Sequence, residues 1–353
     1  MEGTKLANEA ETMFRYDKAS WHSQGTEVDH ALTAREAIEA SGLDWAVDTV
    51  PVYTRPNCGP SPGMLCPSTL KACGEGKFYN EVSDKVAVMR RSDNKVLSVL
   101  GKGYTPVQNV DAFNFFDQVV ADGKAKYHMA GALAGGKRVW IMAKINGGNG
   151  GMSINGDPVD KYLWLFNGHD GQTALRMLFA PIRLKCTNVL MGMMRQGRTA
   201  DMFYARHSGS IIDRVGAAQE ILGISMNFYE DFAEQARILA SHQLPAAQMP
   251  KLLAAAFGST GAIPAQDVVS VEDFTKRSQE RMFTVTRLFE GEGKGLNEPG
   301  IKGTKWAAYN AVVEYVDFGR EYKGANGADT RLKNTISSKG AAIKQRAWDY
   351  LVK

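Results

Sequence analysis

The chain has 353 residues, of which 44% are hydrophobic and 23% are charged, a composition typical of an ordinary globular protein of about two domains. No apolar run approaches the ~18 residues of a membrane span, and the polar N-terminus has no stretch typical of a signal peptide. We therefore expect a cytoplasmic protein that does not enter the membrane.

The net charge of +4 is unevenly distributed along the chain. Residues 1–60 carry five basic and ten acidic side chains, which leaves a net charge of +9 for residues 61–353. An anionic partner would therefore bind the later, basic part of the chain.

The first predicted elements are a helix and three strands. Residues 33–42 read as a helix, because Thr33 can cap it and Glu36 follows three residues later, as in a capping box. Residues 45–54 resemble a strand, and residues 85–101 alternate around a polar Ser-Asp-Asn-Lys turn, which predicts a hairpin.

Between the first predicted strand and this hairpin lies a loop, residues 56–77, that is rich in proline and glycine and contains Cys58, Cys66 and Cys73. The cysteine spacing includes no Cys-x-x-Cys pair and no neighbouring histidine, so it is a weak signal for zinc. Free thiols in a loop are the favoured interpretation, and a disulfide pair or part of a metal site are the alternatives.

The middle of the chain reads as a helix, two strand pairs and a short helix. The helix covers residues 110–123, where apolar residues recur every three or four positions and Gly123 ends the pattern. The strands are predicted from alternation and from the turn residues between them. The predicted strands cover 126–133, 137–145, 161–166 and 173–186, and the short helix covers 187–196.

After residue 210 the apolar spacing is helical almost throughout. The predicted helical segments cover residues 213–242, 247–257, 271–290, 304–319 and 339–352. We infer an α+β protein with an antiparallel sheet, a helix–strands–helix core and a mainly helical C-terminal region. The predicted divisions are residues 1–100, 101–210 and 211–353.

Two short features invite a catalytic interpretation. Adjacent His169 and Asp170 could hold a metal that activates water, but the other histidines form no pattern of further ligands, and Asp170-Gly171 is typical of a turn. Cys186 could be a nucleophile, but it ends an apolar alternation where a small buried residue fits. We favour structural roles for both and expect no metal and no other cofactor.

A third feature is the set of basic and aromatic residues that share strand faces. Alternation places Arg138, Trp140 and Lys144 on one side of a strand, and Arg183 and Lys185 on one side of another. Such cations can neutralise phosphates, and a tryptophan beside them can stack on an unpaired base. A solvated sheet face with a core tryptophan is the alternative. The candidate nucleic-acid-binding residues are Arg138, Trp140, Lys144, Arg176, Arg183, Lys185, Arg195 and Arg198.

Seven separated stretches together resemble a phage or plasmid protein family known as domain of unknown function 932. In chain order they are "WHSQGTEV", "EAIEASGLDWAV", "GYTPVQNVDAFNFFD", "GKRVW", "NGHDGQ", "RLKCTNVL" and "WAAYNAVVEYVDF". The family more often has Ser-His-Asp-Gly-Ser where this chain has Gly168-His169-Asp170-Gly171-Gln172. The resemblance implies an origin in a mobile element and names no activity.

The order helix, antiparallel strands, helix is also similar to the core of single-strand annealing proteins of the RecT and Red-beta type, although only in topology. We therefore expect a non-enzymatic homo-oligomer that binds single-stranded DNA, as an annealing factor in recombination. A phage accessory protein that binds a host or defence protein is one alternative. A metal-dependent hydrolase that uses His169 and Asp170 is another.

Overall fold

The computed structural model describes most of the chain. The described residues are 13–16, 26–54, 80–120, 125–145, 151–183, 188–189, 202–205, 207, 218–258, 270, 272, 274–319 and 338–353. The predictions for Cys58, Cys66, Cys73 and Cys186 lie outside these residues.

The strands form two sheets. The strands are β1 (Met13–Tyr16), β2 (Thr26–Val28), β3 (Val47–Thr54), β4 (Asn80–Arg90), β5 (Lys95–Gly101), β6 (Ala125–Leu133), β7 (Arg138–Ile145), β8 (Met152–Ile154), β9 (Asp157–Gly168), β10 (Leu175–Arg183), β11 (Asn188–Val189) and β12 (Met202–Ala205). The large sheet has the order β11-β10-β9-β7-β6-β1-β2, with β8 beside β9 and β12 beside β10. The small sheet has the order β3-β4-β5.

Seven helices lie within the described residues. They are α1 (Ala34–Ala40), α2 (Asn109–Val120), α3 (Ala218–Ser241), α4 (Met249–Phe257), α5 (Lys276–Arg287), α6 (Lys305–Phe318) and α7 (Ser338–Val352). The capping box at α1 is confirmed: the Glu36 N–H donates to Thr33 Oγ1, and the Thr33 N–H donates to the Glu36 carboxylate. No helix in the described part of the chain is long and apolar enough to cross a membrane.

The α+β fold and the helical C-terminal region are confirmed. Both hairpins of the large sheet form, β6 with β7 and β9 with β10, and so does the hairpin β4–β5 of the small sheet. The predicted helix at 187–196 is wrong at its start, because Asn188 and Val189 pair with β10 as a short strand. The threefold division of the chain stays a prediction.

The large sheet has two apolar sides, because side chains alternate along each strand. On one side, the helix face, Leu163 joins Phe232 of α3 and Trp306 of α6 in a continuous core. The other side, the tryptophan face, forms a separate cluster around Trp140 and Trp164, and every member of this cluster lies on a strand. The face on which a strand residue lies therefore decides whether it meets a helix.

Candidate functional site

The tryptophan face brings together four of the predicted binding residues. Trp140 lies opposite Phe166, and Phe166 lies opposite Arg176 on the next strand. Arg138 and Lys144 share this face, because each is an even number of residues from Trp140 on β7. The predicted alternation along β7 is confirmed, whereas a role in binding stays a prediction.

Trp140 does not present its ring to solvent. Its side chain packs edge to face against Trp164, with ring centroids 6.0 Å apart, and Trp140 is only 1% exposed. An indole in this position cannot reach a base without opening the core. The prediction that Trp140 stacks on an unpaired base is therefore wrong in this fold. Trp140 is instead a core residue, as the alternative interpretation had it.

Arg138 and Lys144 each pair with a more deeply placed carboxylate. Arg138 Nε lies 2.6 Å from Asp170 Oδ2, and the exposed fractions of the two side chains are 31% and 11%. Lys144 Nζ lies 2.5 Å from Asp160 Oδ2, with exposed fractions of 35% and 1%. In both pairs the cation is the member that faces solvent.

Lys126 is a basic residue of this face that sequence reasoning missed. It is exposed on β6 directly opposite Lys144, and it has no ion-pair partner among the residues that the structure describes. The signal was present in the strand "KYHMAGAL", but the register between β6 and β7 is needed to place the two lysines side by side. Lys126 and Lys144 therefore form a like-charge pair across two strands.

The β10 side of the sheet carries the next basic residue. The Arg176 guanidinium lies over the Phe166 ring, 5.0 Å from its centroid. The chain after β10 returns twice to this strand, since β11 and β12 both pair with it. The predicted residues Lys185, Arg195 and Arg198 belong to the intervening sequence and lie outside the described residues.

Arg183 lies on the helix face rather than with the other basic residues. Its side chain is fully buried, and its Nε donates to Asp157 Oδ2 at 2.6 Å. The two terminal nitrogens donate to the carbonyls of Lys294 and Gly295, and the Trp306 indole N–H donates to the same Asp157 oxygen. The prediction of a phosphate-binding Arg183 is therefore contradicted by its burial, and Arg183 ties β10 to the helical region.

His169 occupies a buried junction between separate parts of the chain. Its Nε2 lies 3.1 Å from Asn109 Oδ1, while Asn109 Nδ2 donates to the carbonyl of Leu43. Since the Asn109 oxygen must accept, Nε2 carries the imidazole hydrogen and Nδ1 has only a lone pair, with no described donor nearby. Burial, with His207 close by, lowers the pKa of His169 to about 3, so the ring is neutral at physiological pH.

Asp170 fixes the turn that follows His169. Its Oδ1 accepts from the N–H groups of Gln172 and Thr173, and Gly171 has a left-handed φ of 70°. Burial works against ionisation of Asp170, but the hydrogen bonds from Arg138 and from these N–H groups hold its pKa below the usual value. The predicted Asp-Gly turn is confirmed.

The stretches that carry the family resemblance meet at this junction. Asn167 Nδ2 donates to the carbonyl of Val107, and Tyr104 donates its hydroxyl hydrogen to the carbonyl of Gly168. The side-chain amide of Gln108 bonds both backbone groups of Val47. These contacts join the sequences "GLDWAV", "GYTPVQN" and "NGHDGQ", which are far apart in the chain, into one hydrogen-bonded unit.

The junction offers two imidazoles. The His207 ring stacks on Tyr104 with centroids 5.2 Å apart, and burial lowers the pKa of His207 as well. Among the described residues, no group of three His, Cys, Asp or Glu side chains is arranged to hold a metal ion. The His169 and Asp170 side chains instead contact Asn109 and Arg138.

Comparison with known proteins yields one family. No curated protein and no solved structure matches the chain. The family model described as "Domain of unknown function (DUF932)" matches residues 96–348, which include β6 to β12 and α2 to α6 together with most of β5 and of α7. Because this match spans well over half of the 353 residues, the chain belongs to the DUF932 family.

Proposed function

We propose that this protein binds single-stranded nucleic acid along the basic margin of the tryptophan face. The observation that carries the proposal is the cross-strand pair of Lys126 and Lys144, in which Lys144 pairs with Asp160 and Lys126 has no ion-pair partner among the described residues. Like charges directly opposite each other destabilise a sheet. A phosphate that contacts both lysines relieves this repulsion.

The asymmetry of the ion pairs supports the same proposal. The carboxylates of Asp160 and Asp170 lie beneath Lys144 and Arg138, so an approaching anion meets the cations first. Phosphate contacts of this kind release counterions and supply most of the affinity in binding that is independent of sequence.

The sequence from the end of β10 onward is also rich in basic residues. Residues 181–214 contain six basic and two acidic side chains. Apart from Arg183, these basic residues come after β10 in the chain, and β10 belongs to the same sheet as the strand of Lys144. This segment therefore adds to the positive charge with which the chain can attract an anionic partner.

We further propose that the protein comes from a phage or another mobile element and acts as a single-strand annealing factor in recombination. It would act on DNA in the cytoplasm of the host cell, as a homo-oligomer. Support comes from the family resemblance and from the topological similarity to annealing proteins, which is an argument by analogy. Multivalent phosphate contacts from several copies would let one assembly hold a long strand.

Fluorescence anisotropy with labelled oligothymidylate tests the proposal. We expect binding at low salt, with the logarithm of affinity falling by about 0.7 per phosphate contact for each unit of log salt. Duplex DNA of the same length is the comparison. Failure to bind the single strand at low salt would contradict the proposal, and it would favour the alternative that a host or defence protein is the partner.

A further inference from the structure

A groove in the helical half of the protein is separate from the proposed nucleic-acid surface. It has a volume of about 230 Å³ and lies between the end of α3, the start of α6 and the end of α7. The N–H of Lys305 donates to the carbonyl of His242 at 2.8 Å, and the N–H of Leu244 donates to the carbonyl of Gly303 at 2.9 Å. These backbone bonds fix two of its walls, so the groove is preformed.

The groove is apolar at its floor and along two edges. Leu239 and Leu351 are buried beneath it, whereas Ile238 and Val352 are 51% and 45% exposed. Large aliphatic side chains with this exposure are uncommon among the described residues, and here two of them come from different helices and line the same groove. The pair offers an anchoring place for one aliphatic side chain of a ligand.

The charged side chains that line the groove are two lysines. Lys305 and Lys353 line it together with the imidazole of His242, and none of the described lining residues is acidic. Lys305 donates one Nζ hydrogen to the carbonyl of Leu351 at 3.0 Å, which orients the ammonium group and leaves its other hydrogens for a further acceptor. Glu234, which is exposed one helical turn before Ile238, does not line the groove.

We propose that this groove binds an acidic peptide segment of a partner protein, with one aliphatic side chain between Ile238 and Val352. Charge complementarity identifies the occupant: its carboxylates face Lys305 and Lys353, and its apolar residue lies on Leu239 and Leu351. The exposure of Ile238 and Val352 leaves the aliphatic part of the groove accessible to a segment that approaches from solvent. This interaction goes beyond nucleic-acid binding and does not depend on it.

The test uses a fluorescein-labelled peptide that has one leucine between two pairs of acidic residues. We expect saturable binding by the full chain, weakened at least about tenfold when serine replaces the leucine or lysines replace the acidic residues. Ile238→Glu and Val352→Glu should weaken binding at least about as much, because each places a carboxylate beside the aliphatic anchor. Phe283→Glu is the matched control, since Phe283 is 59% exposed on α5 and does not line the groove.

Three outcomes of the direct peptide-binding measurements would overturn the proposal. They are absence of binding at millimolar peptide, equal binding of the lysine peptide, and unchanged binding by Ile238→Glu. Displacement of the peptide by octanoate that binds more tightly would assign the groove to a small amphiphile and would also overturn it. Oligothymidylate binding by the same protein samples is measured in parallel, so that failure here is distinguished from failure of the proposed function.

Discussion

His169 Nε2 lies 3.1 Å from Asn109 Oδ1, and both side chains are buried. This bond links the turn after β9 to the first residue of α2. Asn109 also donates to the carbonyl of Leu43, which follows α1. The side-chain amide of Asn109 therefore connects three segments, which are the turn after β9, the start of α2 and the residues after α1. The histidine of the "NGHDGQ" stretch is therefore a structural link in this fold.

We predict that His169→Ala destabilises the protein without abolishing its binding of oligothymidylate. The change leaves the buried Asn109 oxygen without its donor and creates a cavity, which together cost about 2–4 kcal/mol of unfolding free energy. Urea denaturation measures this loss. His169→Gln is the control, because its side-chain amide can place an N–H near the position of Nε2 and should recover part of the stability.

A loss of oligonucleotide affinity by hundreds-fold in folded His169→Gln would contradict this structural role. So would one metal ion bound per chain that the variant fails to bind. The first result would assign His169 to nucleic-acid binding, and the second would favour the hydrolase alternative.

We predict that acid destabilises the fold through His169. Its pKa is about 3 in the folded protein and 6.5 without the fold, so only the unfolded chain gains this proton between those values. The stability is fully present above pH 6.5 and falls by about 1.4 kcal/mol per pH unit as the pH drops toward 3. Asp170, whose pKa is also lowered, adds a loss of the same sign at the acidic end.

Urea denaturation between pH 7.5 and pH 4 measures the effect, and the difference between wild type and His169→Gln isolates the contribution of this imidazole. Identical pH dependence in the two proteins would show that His169 is not the titrating group.

We predict that Arg183→Met destabilises the protein strongly. Without the cation, the buried Asp157 carboxylate keeps only the indole N–H of Trp306 as a donor, and the carbonyls of Lys294 and Gly295 lose their donors. We expect this to lower the unfolding free energy by about 3–5 kcal/mol. The double variant Arg183→Met with Asp157→Asn should recover part of the loss, because it buries no unpaired charge. Thermal denaturation compares the three proteins, and an unchanged melting temperature for the single variant would be inconsistent with a buried ion pair.

We predict that Trp140→Ala behaves as a core variant. It removes a ring that packs against Trp164, and the expected loss is about 3–5 kcal/mol of unfolding free energy. The salt slope of oligothymidylate binding should stay unchanged wherever the variant is folded. If instead the variant kept its stability and lost affinity, the interpretation of Trp140 as a stacking residue would return.

Much of the fold follows from patterns within single elements. The capping box at Thr33 and Glu36, the Asp170-Gly171 turn and the alternation along β7 each involve a few neighbouring residues, and each was predictable. The strand β11 was not, because Asn188 and Val189 become a strand only through pairing with β10.

The candidate site could be predicted only in part, because binding residues depend on relations between distant elements. Alternation placed Arg138, Trp140 and Lys144 on one face, but it did not reveal that a second apolar cluster buries the tryptophan. Arg183 carries the same kind of charge as Arg176, yet an odd separation along β10 puts the two on opposite faces. Lys126 became a candidate only when the register placed it opposite Lys144.

The lysine pair gives the sharpest test of nucleic-acid binding. Lys126 is exposed and has no ion-pair partner among the described residues, so Lys126→Gln removes a charge without leaving a buried carboxylate unpaired. If Lys126 contacts a phosphate, the variant should lower the magnitude of the salt slope by about 0.7. Its unfolding free energy should be equal to or slightly above that of wild type, because repulsion with Lys144 is removed.

Lys302→Gln is the control, because Lys302 is equally cationic and exposed but lies in the helical half of the chain. It should keep the wild-type salt slope. A reduced slope in both variants would indicate a general effect of net charge, and a reduced slope in neither would remove the lysine pair from the binding surface. Only a change confined to Lys126→Gln, with stability retained, matches a phosphate held between two lysines on adjacent strands.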